Sequence, residues 1–412
     1  MKDARIFATY ELDTAMEPEK AAAIIAGEQS SGTFVPIPGE TEELKARAAA
    51  RYEIEPAAGL QQAEDGPRTF RGKPTRRYRL KLSWPLSNVG PSLPHLVATI
   101  AGNLYELQHV AALRLLDIDL PEAFSYAYPG PAYGVGGTRF LTQVYDRPLI
   151  GTIIKPSIGP SPEGIAEMVD KLCAGGIDFI KDDELQSDGP ICPFDERVRA
   201  VMPVIHRHAE RTGRKVMYAF NLTGELDEMR RRHDLVHDLG GSCVMLSLNS
   251  VGLAGFSAFR KHARLPIHAH RNGWGYLCRN WSYLAWQRLW RLAGADHMHV
   301  NGLDNKFQEA NESVMASARE CLTAMYPHKP CTVMPTFSSG QSAKQAPRTF
   351  EQLGSTDLIY LAGGGLFGHP GGIAAGIAAL RQAWDATVAG VPLPIAAATH
   401  RELREALETF GS

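Results

Sequence analysis

Hydrophobic and polar positions divide this chain into two textures. Over roughly the first 130 residues, ARIFATYEL and RRYRLKLSWP alternate apolar with polar side chains, the period of half-buried strands. Between them EKAAAIIAGEQ has the apolar spacing of a helix. LPHLVATIAGNLY predicts a second helix, and LQHVAALRLLDIDLP one further strand or two. This order suggests a small α+β layer of ferredoxin-like type. The stretch from Glu40 to Pro74 is polar, carries proline and glycine, and predicts at most one strand, near RYEIEP. AYPGPAYGVGGTR reads as a link, which puts an N-terminal domain at 1–135 and a second domain at 136–412.

From Pro148 onward the pattern becomes rhythmic. Short apolar runs occur at Gly151–Lys155, Ile177–Lys181, Lys215–Phe220, Cys243–Leu248, Pro266–His270, Asp296–Val300, Cys331–Thr336 and Asp357–Leu361. They lie roughly 25 to 40 residues apart, the length of a strand–helix unit. The segments between them are helix-like, as in SPEGIAEMVDKLCAGG, where Ser161 predicts the N-cap and glycines the close. Eight such units predict a closed (β/α)8 barrel rather than an open doubly wound sheet. The tail from Pro370 to Ser412 reads as mainly helical and is expected to cap the barrel.

Composition narrows the partners. The formal net charge is −2, with charged residues at 21% and no long run of one sign, so neither nucleic acid nor an anionic membrane is expected as main partner. The 6 cysteines are scattered without metal-type pairing, the usage of a reduced, cytoplasmic protein. No signal peptide or membrane span is evident in the pattern.

Chemistry is expected at the C-terminal ends of barrel strands, and here those ends are polar throughout. The first run ends on Lys155, the second on Lys181, Asp182, Asp183 and Glu184, the third on Asn221 and the fourth on Asn249. The fifth ends with His268, His270 and Arg271, the sixth with His297 and His299. Ser338, Ser339 and Gly340 follow the seventh run, and Gly363, Gly364 and Gly365 the eighth. Asp183 and Glu184 offer hard oxygen ligands suited to Mg2+, or simply an acidic start to a helix. Lys181 is a counter-ion or, converted by CO2 to a carbamate, a third anionic ligand. Zinc is the rival reading for four histidines, but the adjacent carboxylates and Arg271 favour Mg2+ with an anionic substrate. The glycine triplet suits a phosphate, since bare N–H groups approach an anion closely.

With these residues laid out, the chain resembles the RuBisCO large-subunit superfamily over most of its length. GTIIKPS is similar to that family's GTIIKPK, which implies Lys155 as the proton-transfer lysine. GGIDFIKDDE implies Lys181 as a carbamylated Mg2+ ligand, completed by Asp183 and Glu184. HAHR implies His270 as the histidine of the base region and Arg271 as a phosphate ligand; DHMH adds His299 to the phosphate site. Lys306 stands at the spacing of the mobile-loop lysine, while FSSGQ and AGGGLFGHPGG imply Ser339, Gly363 and Gly364 as phosphate turns. GEQSSGTF supplies Glu28 and Thr33, and AGNLYEL supplies Asn103. In the family such N-terminal residues complete a neighbouring subunit's site, which implies a homodimer; no small subunit is expected.

The departures are specific. Ser157 stands where a carboxylase has its second lysine, Gln341 where a phosphate turn has glycine, and Phe34 where a tryptophan is usual. The loop GLDNKFQEAN lacks the family's glycines. This profile implies a RuBisCO-like protein that forms an enediolate from a keto-sugar acid or its phosphate. The reaction it implies first is decarboxylation or C–C cleavage of a substrate of the 3-oxo-isoapionate type. The alternatives are an isomerase or enolase acting on a 5-methylthioribulose-1-phosphate type, and a non-catalytic binding relative.

Overall fold

The alternation of the N-terminal segment becomes a four-stranded antiparallel sheet in the computed structural model, which describes residues 4–32, 35, 37–57 and 69–411. Strands β1 (Arg5–Thr14), β2 (Arg51–Pro56), β3 (Arg76–Pro85) and β4 (Ala112–Asp119) lie in the order β2-β3-β1-β4. Ile6, Ala8, Tyr10 and Leu12 fill one face of β1, and Leu80, Leu82 and Trp84 extend it from β3. Helices Pro18–Glu28 and Leu93–Ala101 complete the layer, the second joined to β1 by Tyr10, whose hydroxyl donates to Ile100 O at 2.6 Å. Each large apolar side chain sunk here contributes about 1.5–3 kcal/mol. The described residues of 40–57 and 69–74 hold more order than their polarity predicts. Thr41 caps a helix over Glu42–Ala48 by accepting from Leu44 N, and a two-residue hairpin pairs Thr69–Phe70 with Lys73–Pro74.

The eight rhythmic runs close into a parallel barrel: β5 (Leu149–Ile153), β6 (Phe179–Lys181), β7 (Met217–Asn221), β8 (Cys243–Ser247), β9 (Ile267–His270), β10 (His297–His299), β11 (Met334–Phe337) and β12 (Ile359–Leu361). Nearly every residue of these strands is buried, since the barrel interior covers one face and the helices the other. Several strands are shorter than their apolar runs. β5 stops at Ile153, two residues before Lys155, and Asn249 sits inside helix Leu248–Arg260 rather than at the end of β8. Helix Pro162–Ala174 starts as predicted, with Ser161 Oγ accepting from Gly164 N and proline in its first turn.

Helix Gly134–Thr142 closes the N-terminal end of the barrel. Val135, Leu141 and Val144 pack on the inward residues Leu149, Phe179, Met217 and Met334. Its first turn is anchored by Asp296, which accepts from Tyr133 N at 2.6 Å and Gly134 N at 3.0 Å while pairing with Arg260 at 3.0 Å. The tail is helical, as expected, and its last helix also meets the turn Ala343–Gln345 that follows β11. Helix Gly372–Val388 joins the outer ring beside Pro162–Ala174, and Leu393–Thr399 and Arg401–Phe410 lie against it. His369 donates to Glu402 O at 2.9 Å and so ties the loop after β12 to that tail.

By contacts the chain forms two compact units, Met1–Tyr128 with Gly273–Trp290, and Pro129–Asn272 with Arg291–Ser412. Within the first unit Trp274, Tyr283, Trp286 and Trp290 follow one another at ring-centroid distances of 5.1 to 5.4 Å, an arrangement for packing. Among the described residues no helix is long and apolar enough to cross a membrane.

Candidate active site

At the end of β6 Lys181, Asp182 and Asp183 turn to opposite sides in succession, which sorts the charged row into two jobs. Glu184 follows in a turn that brings it back beside Lys181. Asp182 turns outward to a buried network. It pairs with Arg197 at 3.2 Å and accepts from Tyr218 Oη at 2.6 Å and Asn221 N at 2.8 Å. Lys181, Asp183 and Glu184 gather at the mouth of the barrel. Lys155 Nζ donates to Asp183 Oδ2 at 2.7 Å and to Ser157 Oγ at 2.6 Å. Lys181 Nζ, 1% exposed, donates to Asp182 O at 2.7 Å and lies 3.8 Å from Glu184, which His270 Nε2 approaches to 3.4 Å. Burial opposes ionisation of Asp183, but hydrogen bonds from Lys155 and Leu185 N, with the charge of Lys181, hold its carboxyl below the usual range.

Burial pushes the Lys181 ammonium down against the pull of Glu184 and Asp183, toward the free amine that reacts with CO2. Two carboxylates alone are a thin set for Mg2+. A carbamate on Lys181 adds oxygen ligands beside them, so the donor chemistry of Lys181, Asp183 and Glu184 fits that ion. Among the described residues the one group of three carboxylate or imidazole ligand atoms within 4.8 Å of each other lies elsewhere, at His233, Asp234 and His262. That group is a structural clasp. Both ring nitrogens of His233 are engaged, by Asp234 at 3.0 Å and Arg264 N at 3.0 Å, and the Arg264 guanidinium sits 3.3 Å from the carboxylate.

Inside the barrel the imidazoles form a directed chain. The Thr138 hydroxyl donates to Gly134 O at 2.5 Å, so it accepts from His297 Nε2 at 2.9 Å. His297 Nδ1 then accepts from His268 Nδ1 at 3.3 Å, and His268 Nε2 from His299 Nε2 at 2.7 Å. His299 Nδ1 accepts from the Ser338 hydroxyl at 3.2 Å. Neutral rings suit this order. Burial lowers His297 to about 3 and His268 and His299 well below the usual value, and it lowers His270 to about 4, assisted by Lys181.

The loops after β10 and β11 face each other. Asn301 and Ser339 both take left-handed backbone, at φ 65° and 70°, and Ser339 Oγ donates to Asn301 Oδ1 at 2.9 Å. Arg271 Nη2 pairs with Glu309 Oε2 at 2.8 Å, and Lys306 is exposed, its backbone N–H on Ser339 O at 3.3 Å. Gln341 is fully buried and donates to Leu303 O at 3.0 Å. After β12, a Cβ added at Gly363 or Gly364 would meet no atom within 4 Å, so the space beside their α-carbons is open.

The structure therefore brings Lys155, Lys181, Asp183, Glu184 and His270 into one cluster, and His299, Ser339, Arg271 and Lys306 onto adjoining strand ends of the same unit. Glu28 and Asn103 meet in the first unit, with Asn103 Nδ2 donating to Glu28 Oε1 at 3.4 Å. Thr33 and Phe34 lie outside the described residues. Sequence reasoning passed over Glu309, Asn301, Thr138 and the Arg197–Tyr218 support of Asp182. Glu309 was visible as the acid three places past Lys306, whereas Thr138 left no signal in GVGGT.

Comparison with known proteins follows the same division. The chain matches the family model of the ribulose bisphosphate carboxylase large chain catalytic domain over residues 134–410 and that of its N-terminal domain over 1–124. It is 55% identical over 410 residues, 98% of each chain, to a 3-oxo-isoapionate-4-phosphate transcarboxylase/hydrolase of Xanthobacter autotrophicus. It is 43% identical over 412 residues, again 98% of each, to a 3-oxo-isoapionate-4-phosphate decarboxylase of Rhizobium etli. Among solved structures it is similar to a rubisco-like protein from Burkholderia fungorum, at TM-score 0.89 and 44% identity, covering 98% of this chain and 100% of that one.

Proposed function

The chain belongs to the ribulose bisphosphate carboxylase large-chain family, among its RuBisCO-like proteins rather than its carboxylases, and from that membership we propose that it cleaves the bond to the carboxylate carbon of a 3-oxo-isoapionate-4-phosphate type of substrate. Such a substrate is a 3-oxo acid. When its C1–C2 bond breaks, the bonding pair flows toward the C3 ketone oxygen, CO2 departs, and an enediolate spans C2 and C3. A proton added at C2 completes the ketone, so one proton is consumed for each CO2 released.

Lys155 carries this reading. Its Nζ is held 2.6 Å from Ser157 Oγ and 2.7 Å from Asp183 Oδ2, one ammonium with a hydroxyl beside it where a carboxylase has a second lysine. Lys155 delivers the proton to C2. Lys181 as carbamate, Asp183 and Glu184 hold Mg2+, which as a Lewis acid lowers the cost of negative charge on the ketone oxygen. His270 orients Glu184, and Lys306 meets the substrate carboxylate as its loop closes. Gly363 and Gly364 bind the single phosphate through backbone N–H groups, and His299, Ser339 and Arg271 line the opposite end. The assembly is a homodimer in which Glu28, Thr33 and Asn103 serve the partner's site.

The test uses substrate labelled with 13C at the carboxylate, with Mg2+ and bicarbonate present. The wild type releases labelled CO2, and Lys181→Ala loses that release by about 10^2-fold or more, the scale on which one group of a charge-stabilising site acts. No release by the wild type, or undiminished release by the variant, overturns the reading.

A further inference from the structure

We propose that Glu309 sets the ligand specificity of this pocket. Its carboxylate holds the anion seat at Arg271, so the site accepts a ligand with one phosphate and rejects a second phosphate at that end. The inference rests on the reading above, which puts the accepted phosphate at Gly363 and Gly364.

An arginine that opens the loop after a barrel strand is a natural seat for a substrate anion, and its planar fork favours a phosphate. In this chain the seat is filled. Arg271 and Glu309 are 11% and 12% exposed at their side chains and 2.8 Å apart. Glu309 Oε2 also accepts from Asn301 Nδ2 at 2.7 Å, and Oε1 from Ser313 Oγ at 3.0 Å, so both oxygens are satisfied. The loop that carries Glu309 is stitched down. Gln341 donates to Leu303 O at 3.0 Å, and a Cβ on Gly302 would fall 2.1 Å from Gln341 Cδ. To admit a phosphate, Glu309 must either swing out and shed three hydrogen bonds or stay as an ionised neighbour of a dianion; both oppose binding.

The probes are D-ribulose 5-phosphate and D-ribulose 1,5-bisphosphate, titrated calorimetrically into the Mg2+-loaded protein. For the wild type, affinity for the bisphosphate exceeds that for the monophosphate by no more than about threefold. In Glu309→Gln that ratio rises by about tenfold or more, as expected when a like charge leaves an ionic seat, and Glu309→Gln with Arg271→Gln reverses the rise. A wild type that favours the bisphosphate by about tenfold, or a folded Glu309→Gln whose ratio is unmoved, overturns the proposal. The wild-type ratio decides even where the variant fails to fold. Binding requires no turnover, so a protein that releases no CO2 yet shows the shift in ratio refutes only the proposed reaction. One that releases CO2 with an unmoved ratio refutes only the role of Glu309.

Discussion

Lys155 illustrates how much one neighbour decides. Its ammonium has two acceptors, Ser157 Oγ and Asp183 Oδ2, and no second lysine stands beside it at position 157. Lys155→Met keeps most of the stem and removes the donor. We expect CO2 release to fall by about 10^2 to 10^4-fold, the range of a lost general acid, while calorimetric binding of ribulose 5-phosphate stays within a few-fold. Equal loss of both would make Lys155 a structural prop. The residues that carry this prediction were legible as a motif, because Lys155 and Ser157 sit in one short run. The pairing of Arg271 with Glu309 was not. It joins loops 38 residues apart, and nothing local in either segment announces the other.

At the scale of elements, the strand that bears the charged row is short, Phe179–Lys181, and its end is fixed from behind. Arg197, on helix Phe194–Thr212, reaches Asp182 at 3.2 Å, Cys192 O at 3.1 Å and Ser187 O at 2.8 Å. Both partners of the ion pair are fully buried. Arg197→Met leaves the Asp182 charge uncompensated, so we expect stability in urea to drop by about 3–5 kcal/mol. Arg197→Lys should recover part of the loss. A change under about 1 kcal/mol would mean that Tyr218 and Asn221 N suffice to hold Asp182. All eight barrel strands were legible from apolar rhythm, because parallel strands buried on both faces read as continuous runs. Their ends were not: Lys155 lies beyond β5, since the polar character that marks a site also ends the ladder. Helix Glu42–Ala48 escaped because its side chains are all at least partly exposed, which leaves no apolar stripe to read.

For the whole molecule, the three imidazoles of the directed chain couple folding to pH. Each folded ring resists protonation, with His297 lowered to about 3 and His268 and His299 well below their usual value, whereas in the unfolded chain each takes a proton below about 6.5. The unfolded state thus binds more protons as pH falls, and stability is lost from about 6.5 downward. At pH 5.5 the loss is about 1 kcal/mol per ring, so the urea midpoint should decline steadily between pH 7 and pH 5. A flat midpoint would mean that the rings are charged in the folded protein.

Helix Gly134–Thr142 has a kinetic consequence. With the barrel stoppered beneath the histidines, CO2 set free by the proposed reaction would leave on the side of the mouth where Lys181 lies, and under the proposed reading that amine takes up the same molecule to become a ligand. Such an enzyme primes itself. Progress curves begun in degassed, bicarbonate-free buffer should accelerate over the first turnovers, and added bicarbonate should abolish the lag. Curves linear from the start in both buffers would show that Lys181 is not replenished from the enzyme's own exhaust.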